Sequence, residues 1–287
     1  MKPGASDLGG MTPQKLEAWI KQKLGTPAPA KTRDYVARYV GAVKHEARKS
    51  DEQSRLEFWG LNMPTHRAAA KEVSARTKKE FGLNSKSLPE NDRLQAQIAE
   101  WTLWLGVWNR TSNYDVRSVV LIWMSAKERL QLRRRQWKDL FAMAETIDNW
   151  ALSDGLSMMI ADVLENDPKL FSHFKKWNTS KNPWLRRQSL VGIYCYARFR
   201  KKPIAPGLTL GLLEKLLDDP HFYVQRGVGW TLREVDRIDA KLQRAFVKKH
   251  LHRISGVAWF AASELYQEKD RKALVTARKE HRTRNRK

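Results

Sequence analysis

The sequence has little of several features that define large classes of proteins. Cys195 is the single cysteine among 287 residues, which excludes an internal disulfide and a thiolate zinc site. No apolar run approaches the roughly 20 residues that a membrane helix requires, and the first residues lack the apolar stretch of a signal peptide. Neither GxGxxG nor GxxxxGK[ST] occurs, so the two common nucleotide-binding loops are not predicted.

Acidic residues are scarce relative to basic ones. Lysine and arginine number 54 against 31 aspartates and glutamates, which gives a net charge of +23. Such an excess indicates a polyanionic partner, with nucleic acid ahead of an acidic membrane surface. The 12 tryptophans are typical of a surface that meets nucleic acid and equally of an ordinary core. We expect a cytoplasmic protein, nucleoid-associated if it is bacterial.

The chain predicts helices rather than strands, because β-branched alternation is scarce and apolar residues recur at helical spacing. Three dipeptides place a capping side chain before a proline and each predict a helix start: Asp167-Pro168, Asn182-Pro183 and Asp219-Pro220. Three apolar stripes predict buried helix faces: Leu156, Met159, Ile160, Val163 and Leu164; Leu190, Val191, Tyr194 and Ala197; Val228, Leu232 and Val235.

Short helices joined by tight turns favour an all-α fold, an α-solenoid of HEAT-like antiparallel helix pairs with a concave basic face. Weak repetition of an arginine after an apolar residue, at Arg117, Arg187 and Arg226, supports this interpretation. We expect a mobile N-terminus over residues 1–12, a single domain over 13–268 and a basic C-terminal tail over 269–287. Residues 278–287 are interpreted as disordered.

Asp154 and Arg187 are the first two candidate functional residues. Asp154 lies opposite the apolar stripe of its helix, which is compatible with a functional carboxylate and with a capping or solvated acid at a helix start. Arg187 projects between Leu190 and Val191. It is either a structural arginine that ties neighbouring repeats together or a ligand contact.

Trp230 is the third candidate, on the side of its helix away from the Val228 stripe. Gly227 and Gly229 each cost roughly 1 kcal/mol inside a helix, which indicates close approach of another backbone or of a ligand. The segment therefore indicates either tight helix packing with Trp230 on a second core face, or a binding surface.

Together these segments resemble the AlkD family of DNA alkylation-repair glycosylases, which are HEAT-like. The similar stretch runs from about residue 145 to residue 265, with a weaker one over 58–67. Departures are Ala151, where some relatives carry an acid, and extra length at both ends. That family's cleft holds two tryptophans, an aspartate and an arginine, which match by motif position Trp150, Asp154, Arg187 and Trp230.

The resemblance implies a monofunctional glycosylase that hydrolyses the N-glycosidic bond of N3- or N7-alkylated purines in duplex DNA, as in base excision repair. It implies that Asp154 is catalytic, providing negative charge beside the sugar cation and positioning water. Trp150 and Trp230 would contact the cationic nucleotide, and Arg187 a phosphate. It also implies a base that stays stacked rather than flipped. This chemistry needs no cofactor and no metal. The expected partner is double-stranded DNA, with no membrane, and we expect a monomer.

Basic residues outside this set predict contacts with phosphates. Residues 127–138 carry six basic residues and one acid, which indicates a DNA-gripping edge or a solvated helix face. The predicted phosphate contacts are Arg133, Arg134, Arg135, Arg226 and Arg233.

Other chemistry-bearing residues have simpler interpretations. His250 and His252 point in different directions on a helix, so a metal pair is not predicted. Cys195 is interpreted as a core thiol. Glu145 and Asp148 either form a carboxylate pair with Asp154 or belong to a cluster at a helix start.

Two other functions stay open at this point. One is a non-catalytic HEAT-repeat protein that recognises distorted or branched DNA. The other is a solenoid that binds an acidic protein partner. Retention of all four cleft residue types favours the enzyme over the first, and the net charge favours DNA over the second.

Overall fold

A computed structural model describes residues 10–42 and 54–284, with side chains described up to residue 280. Within these ranges the chain forms fifteen α-helices and no strand, apart from one isolated bridge between Glu57 and Asn113. The all-α class is thus confirmed. Most of the expected mobile N-terminus, residues 1–9, lies outside the described residues.

Contacts divide the chain into two compact units, with the boundary between Gly155 and Leu156 inside the eighth helix. The expected single domain over 13–268 therefore contains two units. The first unit holds α1 (Pro13–Leu24), α2 (Ala30–Tyr39), α3 (Met63–Glu80), α4 (Glu90–Arg110), α5 (Tyr114–Ser125), α6 (Leu130–Arg135), α7 (Trp137–Ala144) and the start of α8 (Trp150–Asn166). The second holds the rest of α8 with α9 (Phe171–Asn178), α10 (Pro183–Tyr194), α11 (Pro206–Lys215), α12 (Phe222–Ile238), α13 (Ala240–Lys249), α14 (Gly256–Ala262) and α15 (Glu268–Arg284).

Tryptophan builds much of the first unit's core, where α1 packs on α3 and α4, and α3 packs on α5. Trp104 and Trp123 are buried and stacked, with ring centroids 4.6 Å apart. Trp101 and Trp108 are fully buried beside them. These four are a third of the 12 tryptophans in the sequence, and Trp177 and Trp184 of the second unit are buried as well.

In the second unit α10 packs on α9 and α12, and α12 packs on α14. The three apolar stripes predicted from the sequence are all buried. Ala197 lies just beyond α10, in the short 3-10 helix Ala197–Phe199. Helical spacing therefore identified the inner faces of α8, α10 and α12 correctly.

The predicted helix starts are confirmed in two cases and wrong in the third. Asn182 caps α10 by accepting a hydrogen bond from the Trp184 N–H. Asp167 caps the 3-10 turn that leads into α9. α12 begins at Phe222 rather than at Pro220. Asp219 is drawn into a tertiary ion pair with Arg186, whose Nε lies 2.5 Å from a carboxylate oxygen, and it caps a turn instead.

The C-terminal basic segment was expected to be disordered, and this was wrong up to residue 284. It forms α15, because Arg278 is buried against the preceding elements. Its guanidinium donates hydrogen bonds to the carbonyls of Leu251 at 2.9 Å and Ile254 at 2.6 Å. It also lies 5.0 Å from the ring centroid of Trp259. Residues 285–287 lie outside the described ranges.

The repeated arginines differ in their surroundings. Arg187 is buried, Arg226 is exposed and Arg117 is in between. Their spacing therefore does not mark equivalent positions. No helix in the described part of the chain is long and apolar enough to cross a membrane.

Candidate functional site

Trp150 is fixed in place by the end of α2. Its backbone N–H donates to the carbonyl of Val40 at 3.1 Å, and its indole Nε1–H donates to the carbonyl of Tyr39 at 2.7 Å. The indole meets the Tyr39 ring edge-on, with centroids 5.3 Å apart. Two consecutive carbonyls and one ring thus hold a half-buried indole in a single orientation.

Asp154 lies one turn further along α8, on the same face as Trp150 because four residues separate them. The cap of this helix is Asn149, whose side-chain oxygen accepts from the Leu152 N–H at 3.0 Å. A capping role for Asp154 is therefore removed. Asp154 as a residue is half-buried, so it lies within reach of solvent on this face of α8.

The proposed carboxylate pairing with Asp154 gains no support from its neighbours. Asp148 accepts hydrogen bonds from the Ser54 hydroxyl at 2.7 Å and the Arg55 N–H at 3.3 Å. Glu145 is exposed at the end of α7. Asp148 therefore stabilises the chain around residue 54, a tertiary role that neither alternative from the sequence described.

The two glycines of α12 mark two close approaches. A Cβ on Gly229 would lie 2.2 Å from the carbonyl oxygen of Ala258 in α14. A Cβ on Gly227 would lie 3.3 Å from Nη1 and 3.4 Å from Cγ of Arg187. The close approach predicted from the glycines is confirmed, to a backbone in one case and to the candidate arginine in the other.

This packing places Arg187 against the face of α12 that carries Trp230. Arg187 lies against Gly227, and Trp230 follows Gly227 by three residues on the same side of α12. Arg187 is only 5% exposed, and the Trp230 ring is half-buried. In the first unit, Trp150 and Asp154 likewise lie on one face of a helix, α8.

Each candidate tryptophan has an exposed tyrosine beside it that sequence reasoning missed. Tyr39 meets Trp150, and Tyr196 meets Trp230 edge-on with centroids 5.8 Å apart. Tyr39 lies 111 residues before Trp150, so no local pattern indicated the contact. Tyr196 lies inside the stretch that the stripe Leu190 to Ala197 predicted as helix, and nothing in the sequence indicated its contact with Trp230.

The phosphate contacts predicted from the sequence have different geometries. Arg133 is 3% exposed, and its Nη1 donates to the carbonyls of Met124 and Ala126 at 2.9 and 2.8 Å. These two carbonyl contacts favour a structural role for Arg133 over the predicted phosphate contact. Arg134 is half-buried, whereas Arg135 and Arg226 are exposed.

Arg233 is held by carboxylates beside Trp230. It contacts Glu234 at 3.0 Å and Glu264 at 3.0 Å, and its guanidinium carbon lies 5.5 Å from the Trp230 ring centroid. The arrangement orients the cation over the indole face. A phosphate would have to compete with two carboxylates for Arg233.

His221 shows the electrostatic character of the Arg187 neighbourhood. Burial lowers the pKa of His221 to about 4, and the nearby positive charges of Arg186 and Arg187 act in the same direction against Asp219. The His221 ring packs against Trp184 and Tyr223, which stack on each other with centroids 5.2 Å apart. The imidazole is therefore neutral at physiological pH.

The remaining candidates do not form a site in the described residues. His250 is buried against Phe246, and His252 is exposed. Cys195 is 2% exposed. No group of three or more potential metal ligands occurs among the residues that the structure describes.

Comparison with known proteins adds a family. A family model described as DNA alkylation repair enzyme matches residues 20–266. The chain belongs to this family. A solved structure, described as a predicted DNA alkylation repair enzyme from Enterococcus faecalis, is similar with 14% sequence identity and a TM-score of 0.49; the match covers 85% of this chain and 99% of that chain. No curated protein matches the sequence significantly.

Membership of the DNA alkylation repair enzyme family assigns a role in the repair of alkylation damage, with DNA as the substrate. The matched range contains all four candidate residues, Trp150, Asp154, Arg187 and Trp230. It ends at residue 266, before α15 begins at Glu268. That helix extends beyond the part the family model describes.

Proposed function

We propose that the protein is a DNA glycosylase that hydrolyses the N-glycosidic bond of N3- and N7-alkylated purines in duplex DNA. The observation that carries the proposal is the placement of Asp154 on the same face of α8 as an indole held in one orientation by Tyr39 and Val40. A fixed aromatic face beside a carboxylate suits a cationic substrate.

The chemistry makes modest demands on the protein. An alkylated purine already carries a positive charge, so the C1′–N bond breaks with its electron pair moving to the base, which leaves neutral. The sugar becomes oxocarbenium-like and is captured by water, whose proton passes to a base. Asp154 supplies negative charge near the cation and accepts that proton.

In the second unit, Arg187 provides a guanidinium and Trp230 a second aromatic face. The guanidinium forms planar, forked hydrogen bonds with a phosphate. Arg187 is held against α12 at Gly227, so its position is set by packing rather than by a flexible stem. Trp230 presents a second aromatic face on the same helix. The proposal assigns phosphate binding to Arg187 and nucleotide contact to Trp230.

The test is release of N7-methylguanine and N3-methyladenine from methylated duplex DNA by the wild type, Asp154→Asn and Glu145→Gln. We expect Asp154→Asn to slow release roughly 100-fold while duplex binding is retained, because one preorganised charge is lost. Glu145→Gln removes an exposed carboxylate and controls for net charge. It should leave the rate unchanged.

Equal release by Asp154→Asn and wild type would refute the role of Asp154. DNA binding by the wild type without release of either base would select the non-catalytic DNA-binding alternative. A monofunctional enzyme leaves an abasic site that is cleaved only after alkali treatment. Strand breaks before alkali treatment would therefore contradict the monofunctional assignment. Duplex preference, a monomeric state and a cytoplasmic location stay predictions.

A further inference from the structure

The segment between α10 and α11 presents aromatic and basic side chains to solvent beside Trp230. Phe199 is 57% exposed and Tyr196 is 39% exposed. Their ring centroids lie 6.2 Å apart, and Tyr196 also contacts Trp230. Arg198 lies 4.8 Å from the Phe199 centroid. Exposed aromatic rings are therefore continuous with a tryptophan of the proposed site.

Buried or half-buried carboxylates hold this segment rigidly. The Ala197 N–H donates to Glu234 at 2.8 Å, and Glu234 is only 2% exposed. Arg200 pairs with Asp162 of α8 at 2.6 Å. The backbone N–H groups of the next two residues both donate to Glu165 at 2.5 Å. The loop is thus pinned at three places.

The backbone of this loop is also strained. Cys195 and Tyr196 have φ values of 28° and 63°, and they are the two non-glycine residues in the described chain with positive φ. A left-handed conformation costs about 1–3 kcal/mol for such residues and is maintained only when surrounding contacts enforce it. The contacts that hold the loop offset this cost, and the resulting backbone conformation places Tyr196 against Trp230.

Exposed basic side chains complete the surface. Lys201 and Lys202 are exposed directly after the aromatic pair, and Arg198 is exposed between the rings. Three cations around solvent-facing aromatic rings are complementary to a phosphate backbone with exposed sugar and base faces. An acidic protein partner would use the cations but would leave the rings without a planar counterpart.

We propose that residues 196–202 form a DNA-contacting wedge, in which Phe199 packs against a sugar or base of the duplex and Lys201 and Lys202 contact phosphates. The inference rests on the proposed function in that both place DNA at Trp230. It adds a contact surface that does not take part in bond cleavage. Glu234, Glu165 and Arg200 act as positioning residues for the wedge.

The test is binding of undamaged duplex DNA, measured over a range of salt concentrations for the wild type and four variants. We expect Phe199→Ala to weaken binding roughly ten-fold with no change in the salt slope, as for loss of one aromatic contact with a base. Phe199→Tyr keeps a ring and should bind as the wild type does. The double variant Lys201→Gln, Lys202→Gln should reduce the salt slope by about 2, near 0.9 for each phosphate contact.

Phe260→Ala is the matched control, since Phe260 is a phenylalanine of the same unit with 76% exposure, on α14. It should leave affinity unchanged. Wild-type affinity in Phe199→Ala, or an equal loss in Phe260→Ala, would overturn the wedge. If the wild type releases alkylated bases while Phe199→Ala binds normally, the wedge fails and the glycosylase stands. If Phe199→Ala weakens binding but the wild type releases no base, the wedge stands and the glycosylase fails. A wild type that does not bind duplex DNA refutes both.

Discussion

Replacing Gly229 with alanine tests the packing of α12 on α14 quantitatively. An added Cβ would lie 2.2 Å from the Ala258 carbonyl oxygen and 2.8 Å from its carbonyl carbon, whereas ordinary contact begins near 3.4 Å. The atoms that must move are backbone, so a side-chain rotation cannot relieve the overlap. The two helices have to separate locally by about 1 Å.

The expected change in the free energy of unfolding follows from two opposing effects. Alanine is better than glycine inside a helix by about 1 kcal/mol. Overpacking of this kind costs about 3 kcal/mol. The net loss is then about 2 kcal/mol, which corresponds to a fall in Tm of roughly 4–8 °C for a chain of this size.

Gly211→Ala is the matched control, measured by thermal and urea unfolding under the same conditions. Gly211 lies in α11 and is exposed, and its added Cβ would meet nothing within 4 Å. The helix preference then acts alone, so Tm should rise by roughly 2–4 °C. Equal stabilisation by the two substitutions would show that α14 does not approach α12 as described.

Three further predictions concern charge. Burial lowers the pKa of His221 to about 4, against an ordinary value of 6.5. Between these two pH values the unfolded chain therefore binds more protons than the folded chain. The free energy of unfolding should then decline as pH falls from 6.5 to 4. His221→Phe, which keeps a ring against Trp184 and Tyr223, should lose part of this decline in urea titrations. An unchanged pH profile would contradict the assignment. Arg135→Gln should reduce the salt slope of DNA binding by about 1 without changing Tm. Arg133→Gln should instead lower the free energy of unfolding by about 1–3 kcal/mol, because two buried carbonyls lose their donor, and the opposite pattern would return Arg133 to the DNA-contacting set.

Helical spacing was sufficient to predict the inner faces of α8, α10 and α12, because burial of an apolar stripe is a local property of the sequence. The predicted start of α12 was wrong, because the Asp219 carboxylate pairs with Arg186 of α10 instead of capping α12. The disorder expected around Arg278 was wrong for a similar reason, and the carbonyl contacts of Arg133 were equally hidden from the sequence. A basic residue that caps distant carbonyls has the same sequence signature as one that contacts a phosphate.

The candidate site was predictable to the extent that its residues follow a family pattern. Trp150, Asp154, Arg187 and Trp230 were identified from motif positions. Their supporting contacts were not, since the Tyr39 carbonyl and the Glu234 carboxylate act across large sequence separations. The left-handed backbone at Tyr196 had no glycine or asparagine to indicate it.

The role of Arg278 has a practical consequence for trimming this protein. A basic C-terminal stretch is commonly deleted to improve expression or crystallisation. Deletion before Arg278 would remove the donor to the carbonyls of Leu251 and Ile254 and the cation over Trp259. The turn between α13 and α14 would then lose the two hydrogen bonds that hold its carbonyls. That turn leads directly into α14, the helix that packs against Gly229. A safe truncation has to retain α15 through this arginine, well past the end of the family match.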